Sequence, residues 1–270
     1  MTDQPMVTLN DGRQMPQLGQ GVFLVPPEDA RVLVETGIRA GYQAVDTAAF
    51  YRNERGVGEA VRASGKPIFV TTKLWKEDQG GDKPRRGLEQ SMKELGLDSI
   101  DLYLLHWPMP SLGLYSDTWK KLVELRDEGL VRSVGVSNFT VAHLQHIIVE
   151  SGVVPAVNQV ELHPGYQQRE LVEFHEQHGI VTTSWSPLGR GALLDDPLFA
   201  ELGRKHGKTP AQTILRWHLD RTLTIIPKAS SEARLRENLD VFDFALDEED
   251  MARIAELDGT SFIGPHPDSM

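Results

Sequence analysis

Ile68-Phe-Val-Thr-Thr-Lys73, then Pro84-Arg-Arg-Gly-Leu-Glu-Gln-Ser-Met-Lys-Glu-Leu95, then Asp101-Leu-Tyr-Leu-Leu-His106 carry the fold in miniature. The first and third runs are short, β-branched or apolar at consecutive positions. Strands covered on both faces of a parallel sheet read this way. The middle run has a helical pattern. It opens on proline, places Lys93 near its end and stops at Gly96, a plausible C-cap. Outward from this unit the alternation repeats. Strand-like runs cover Gln17 to Val22, Ala44 to Asp46, Arg132 to Ser137, Val157 to Gln159, Val181 to Trp185 and Thr224 to Pro227, making eight in all. Helical runs cover Glu28 to Ala40, Asn53 to Ala63, Asp117 to Glu128, Ala211 to Leu219 and Asp247 to Leu257. Asn10-Asp11-Gly12 between two short runs marks a hairpin before the first of the eight. Eight strands spaced by helices predict a (β/α)8 barrel, a TIM barrel, formed by residues 1–270 as a single domain.

An open doubly wound sheet is the rival. It calls for three glycines at fixed spacing after the first strand, with a helix directly behind. Gly19-Gln-Gly21 supplies two and no helix follows, and Gly189-Arg-Gly191 fails likewise. The chemistry is therefore expected at the C-terminal ends of barrel strands.

Composition narrows that chemistry. The 270 residues include no cysteine, which removes disulfides, zinc-thiolate sites and thiol nucleophiles. Lys and Arg total 28 against 39 Asp and Glu, a net charge of −11, which argues against non-specific nucleic-acid binding. Neither a basic-then-apolar leader nor a membrane-length apolar run is seen, so a cytoplasmic protein without a membrane partner is expected. His175-Glu-Gln-His178 is one residue short of a zinc motif, and His143 with His146 lacks a third ligand. Both pairs are read as helix-surface residues and no metal is expected. Gly56-Val-Gly58 is read as close helix packing.

Four polar residues stand at neighbouring strand ends: Asp46, Lys73 and His106, with Tyr51 in the loop after Asp46. Each alone has a plain structural reading, as a loop cap, a packed ring or a core histidine. Together they make a specific device. A phenol is a weak acid near pH 7, and a neighbouring ammonium makes it a better proton donor. A carboxylate keeps that ammonium charged, and an imidazole can bond a substrate oxygen. The set is a proton donor beside a clamp for a developing alkoxide, with no nucleophile in it. It lacks a hydride source, which must be borrowed.

These residues resemble those of the aldo-keto reductases over nearly the whole chain. The resemblance rests on Gly41-Tyr-Gln-Ala-Val-Asp-Thr-Ala-Ala-Phe-Tyr-Arg-Asn-Glu54, Asp101-Leu-Tyr-Leu-Leu-His-Trp-Pro108, Gly135-Val-Ser-Asn-Phe139, Asn158-Gln-Val-Glu-Leu-His-Pro164 and Ile226-Pro-Lys228, in that order. Gly21-Val-Phe-Leu-Val-Pro-Pro27 and Glu237-Asn-Leu-Asp-Val-Phe-Asp-Phe244 bring it nearest to the bacterial 2,5-diketo-D-gluconic acid reductases. The resemblance implies a barrel whose N-terminal β-hairpin covers the bottom. It implies NADPH-dependent reduction of small aldehydes, α-dicarbonyls or keto-sugars, with 2,5-diketo-D-gluconate and methylglyoxal as examples, by a monomer. Tyr51 would be the general acid, with Asp46, Lys73 and His106 completing the family tetrad. Ser137, Asn138 and Gln159 would hold the carboxamide, Trp185 would stack on the nicotinamide, and Ser186, Leu188 and Gly189 would follow the pyrophosphate. Lys228, Ser230 and Arg234 would take the 2′-phosphate, and Glu237 and Asn238 the adenine. Phe23, Phe50, Trp75, His106 and Trp107 would line the substrate pocket, with the loop Met109 to Leu114 and the tail Phe262 to Met270.

Two departures stand out. Ala229 replaces the serine that usually follows the lysine of Ile-Pro-Lys, which removes a 2′-phosphate contact unless Ser230 or Ser231 supplies it and leaves room for some NADH use. Arg52 adds a cation beside Tyr51, facing either the pocket mouth or solvent. A non-catalytic NADPH-binding barrel, acting as a redox sensor or regulatory subunit, is the alternative reading. A pure binder, however, has no use for a Tyr–Lys pair.

Overall fold

The computed structural model describes residues 4–260 and 262–270. It opens with an antiparallel hairpin, β1 (Met6–Thr8) and β2 (Gln14–Pro16), turned at Gly12 with φ +84°. Eight parallel strands follow, paired in chain order. They are β3 (Gln20–Gly21), β4 (Ala44–Asp46), β5 (Phe69–Leu74), β6 (Ile100–Leu105), β7 (Val131–Ser137), β8 (Val157–Glu161), β9 (Val181–Trp185) and β10 (Thr224–Ile225). The first and last meet: Leu18 bridges Ile225, Gly21 bridges Lys228, and the Gly19 amide donates to Ile225 O at 2.8 Å. The sheet is thereby closed into the expected barrel. Closure needs a bare backbone at Gly21, where an added Cβ would lie 2.5 Å from Ile226 O.

Helices wrap the outside. They are α1 (Pro27–Ala40), α2 (Glu54–Ser64), α3 (Lys83–Leu95), α4 (Tyr115–Asp127), α5 (Val141–Ser151), α6 (Arg169–His178), α7 (Pro197–His206), α8 (Pro210–Asp220), α9 (Glu232–Leu239) and α10 (Glu248–Ala255). The six helical runs read from the sequence correspond to α1, α2, α3, α4, α8 and α10. The α5, α8 and α10 starts carry full capping boxes, Thr140 with His143, Thr209 with Gln212 and Asp247 with Asp250, which satisfy amides that a helix start leaves open. Gly58 confirms the close-packing reading, since a Cβ there would stand 1.9 Å from Leu95 O on α3.

Strand β6 shows how the period of two builds two cores. Tyr103 and Leu105 join the large core between sheet and helices. Leu102 and Leu104 instead join a smaller cluster inside the barrel, with Val157 and Ala156. The hairpin plugs that cluster from below with Leu9 and Met15. It is tied to the N-terminal ends of the strands by Asn10 Nδ2 to Pro155 O at 2.9 Å and by Ser133 Oγ to Asp11 Oδ2 at 2.6 Å. The hairpin thus covers the barrel bottom, and the polar strand ends lie at the opposite, C-terminal end.

One sequence reading is corrected. His143 and His175 are buried rather than surface residues. His175 sits in the core between the Asn158 amide at 2.9 Å and the Thr182 hydroxyl at 2.8 Å. Burial pushes its pKa down to about 3, so it stays neutral. His143 is occupied in the α5 cap. His146 and His178 are exposed. Among the described residues no group of three or more His, Asp or Glu side chains is placed to hold a metal ion, and no helix is long and apolar enough to cross a membrane.

Candidate active site

Strand register brings three of the four polar residues together, and a turn supplies the fourth. Asp46 pairs with Thr71 across β4 and β5, and Lys73 lies two residues further on the same face. Lys73 pairs with Leu104 on β6, and His106 lies two residues beyond that. A period of two therefore sends all three side chains to one face at the barrel's C-terminal end. Tyr51 is delivered by a 3₁₀ turn, Ala49–Tyr51, which ends at Arg52 with φ +58°. The turn is braced by the buried Asn53, whose amide donates to Val22 O at 2.9 Å and whose Oδ1 accepts from Thr47 Oγ1 at 2.7 Å.

Lys73 is fully buried, an arrangement that costs several kcal/mol unless the charge is paired. Its three protons are all directed. Nζ donates to Asp46 Oδ1 at 2.5 Å, to Thr47 O at 2.9 Å and toward Tyr51 Oη at 3.4 Å. The second Asp46 oxygen accepts from Gln159 Nε2 at 2.7 Å. Burial works to lower the Lys73 pKa, but Asp46 and Tyr51 together outweigh it and hold the ammonium above the ordinary lysine range. Burial raises the Tyr51 phenol above the ordinary tyrosine range, and the charge of Lys73 draws it back only in part. The hydroxyl therefore keeps its proton at neutral pH while resting against a fixed cation. Burial, assisted by Lys73, holds His106 well below the usual histidine range, so its ring is neutral.

Aromatic rings frame this group. Phe50 stacks on Trp75 with centroids 4.0 Å apart, and Trp75 meets His106 edge-on at 5.0 Å. Phe23 lies 5.0 Å from the Tyr51 ring, and both Phe23 and Phe50 are exposed at the rim. Trp107 is more deeply buried, and its carbonyl accepts from Gln79 Nε2. The tail reaches the expected loop where Ser111 Oγ faces Met270 O at 3.5 Å.

The residues expected to hold a nicotinamide form one network beside the tetrad. Ser137 Oγ donates to Gln159 O at 2.8 Å. Asn138, at φ +63°, donates to His106 O and to Ser137 Oγ, each at 3.0 Å, and its Oδ1 accepts from Trp185 Nε1 at 2.8 Å. Ser186 and Gly189 follow with φ +49° and +57°, turning the chain sharply after β9 at Leu188. Farther along, Lys228 and Arg234 stand exposed near the α9 start, and neither has a carboxylate partner among the described residues. Two unpaired cations in so acidic a protein fit a polyanionic ligand. Ser231 is spent on capping α9, its Oγ accepting from the Arg234 amide, so Ser230 is the hydroxyl left to compensate for Ala229. Glu237 accepts from Thr209 Oγ1 at 2.7 Å, and Asn238 is buried beside Tyr42. Arg52 is exposed and has no ion-pair partner among the described residues.

Sequence reasoning missed two contributors. Thr47 supplies the backbone carbonyl that takes the second Lys73 proton, a role no side-chain pattern reveals. Glu161, at the end of β8, is buried although charged. A glutamate closing an otherwise enclosed strand was the available signal.

Residues 16–259 match the Aldo/keto reductase family. The chain belongs to that family. It is accordingly an oxidoreductase. An aldo-keto reductase of Mycolicibacterium smegmatis is 48% identical over 266 residues, 97% of each chain. Methylglyoxal reductase DkgA of Yersinia pestis is 46% identical over 273 residues, covering 99% of this chain and 98% of that one. Among solved structures, a variant of Gox0644 in complex with NADPH superposes with a TM-score of 0.97 at 47% identity, covering 99% and 98% of the two chains.

Proposed function

We propose that this aldo-keto reductase reduces small aldehydes, α-dicarbonyls or keto-sugars to alcohols, with Tyr51 as the general acid. The observation that carries the reading is Lys73 Nζ, buried and held by Asp46, facing Tyr51 Oη beside a neutral His106. The enzyme is an NADPH-dependent oxidoreductase, and NADPH supplies the hydride. Trp185, Asn138 and Gln159 would hold its nicotinamide end, Lys228 and Arg234 its 2′-phosphate. His106, uncharged, bonds the substrate carbonyl oxygen and orients it. Tyr51 gives that oxygen its proton as negative charge develops there, and Lys73 stabilises the phenolate left behind. The aromatic rim excludes water and accepts carbonyl compounds of varied shape.

The test is NADPH oxidation with methylglyoxal and with 2,5-diketo-D-gluconate, followed at matched enzyme concentrations. Tight NADPH binding with no turnover on a broad carbonyl panel would turn the reading into that of a sensor. Cofactor choice has its own test. Arg234→Ala should weaken NADPH about tenfold or more and leave NADH nearly unaffected, because in this reading the guanidinium would meet only the extra phosphate. Equal losses for both cofactors, measured by fluorescence titration, would remove Arg234 from that site.

A further inference from the structure

Glu161 has no part in the tetrad, yet it is built with care. The residue is 4% exposed and lies at the end of β8, two residues past Gln159. Strand register sets it opposite Trp185 on β9. Both oxygens receive backbone amides of the C-terminal tail, Oε1 from Ile263 at 2.5 Å and Oε2 from Gly264 at 2.8 Å. His163 Nε2 approaches Oε1 at 3.2 Å. Burial works to raise the Glu161 pKa, but these donors outweigh it and hold the carboxyl below its ordinary range. A buried carboxylate on two consecutive tail amides is a strong local hook, because each bond is charge-assisted.

The hooked segment touches Trp185. A Cβ on Gly264 would stand 2.6 Å from Trp185 Cη2, 3.4 Å from Cζ2 and 3.1 Å from Glu161 Oε2. The tail thus lies flush against the benzo edge of the indole, and only glycine permits it. Farther along the same edge, on the five-membered ring, Nε1 is held by Asn138 Oδ1 at 2.8 Å. That edge of the indole is thus held at two points, one on each ring.

The geometry points to Glu161 as a positioning residue: by hooking Ile263 and Gly264 it seats the tail against Trp185 and fixes the plane on which the nicotinamide rests. This rests on the reading of Trp185 given above. Glu161 touches no reacting atom and acts through Gly264 and Trp185. Gly264 is its partner in the same task.

The test uses the whole protein and two independent variants. Without cofactor, hydrogen exchange at the Ile263 and Gly264 amides should be slow in the wild type and at least about tenfold faster in Glu161→Ala. Glu161→Gln should fall between, since one acceptor oxygen remains. The Trp185 indole N–H resonance, assigned by its loss in Trp185→Phe, should shift or broaden in Glu161→Ala and in Gly264→Ala. With cofactor, both variants should release NADPH about tenfold faster in stopped flow. Wild-type exchange in Glu161→Ala would overturn the hook. A loosened tail with an unmoved indole resonance and unchanged NADPH release would overturn the positioning role, as would a lowered melting temperature alone. Should Glu161→Ala fail to fold, Gly264→Ala decides, because its site lies in the tail. A wild type that does not bind NADPH would defeat the cofactor reading instead, and the exchange and resonance results would still report on the hook.

Discussion

Tyr51→Phe is expected to lower turnover by about 10²- to 10⁴-fold while leaving NADPH affinity and stability close to wild type. Among the described residues the hydroxyl makes a single hydrogen bond, the 3.4 Å approach of Lys73 Nζ. Removing it leaves the lysine with Asp46 and Thr47 O, so no buried charge is stranded. The ring, packed beside Phe23 and His106, remains. What disappears is the only phenol within reach of the fixed ammonium. Single-turnover kinetics under saturating cofactor, with NADPH binding measured in parallel, give the check. A mutant that turns over at the wild-type rate would take the proton donor away from Tyr51 and hand that role to another group.

Asp46→Asn should act on stability as well as on rate. The neutral amide still fills the space but no longer compensates a fully buried ammonium. Removing one member of a buried ion pair costs about 3–5 kcal/mol, and in a chain of this size that is a fall in melting temperature of roughly 10 °C. The Gln159 amide at 2.7 Å is also left facing a group that offers one acceptor where there were two. Lys73 then has reason to release its proton, and a neutral amine supports the Tyr51 phenolate poorly. Turnover should therefore fall together with the melting temperature, and Lys73→Met in the same background should restore stability without restoring rate. Calorimetry on the three proteins separates the two effects. An Asp46→Asn variant as stable as wild type would mean that Thr47 O alone suffices for the lysine.

The extent to which this site was legible in the sequence follows from how each residue is used. Asp46, Lys73 and His106 sit at strand ends, where a polar residue interrupts an apolar run, and the interruption can be seen without coordinates. Strand β5 could be placed within one residue for that reason. Strands β3 and β10 are shorter than their apolar runs suggest, because barrel closure there proceeds through isolated bridges at Leu18 and Gly21. Helix α9 is polar at most positions and buries only Leu235 and Asn238, so it offers little periodicity to read. His175 was misread because a histidine on a helix near other charges looks solvated. Only the packing of α6 on β8 and β9 reveals the Asn158 and Thr182 partners that make it a core residue. Glu161 and Thr47 escaped for a related reason. Thr47 acts through its own carbonyl and Glu161 through the amides of Ile263 and Gly264, and sequence spacing does not record such backbone bonds.

The bond from Gln159 to Asp46 joins residues 113 positions apart. Its consequence concerns the order in which the protein is made. Asp46 and Lys73 are translated early, long before β8 leaves the ribosome, and until then the carboxylate has one oxygen uncommitted. Contacts of such sequence separation form late, because the intervening chain must first be ordered. The full set of bonds around Asp46 is therefore expected to be complete only once β8 has joined the barrel.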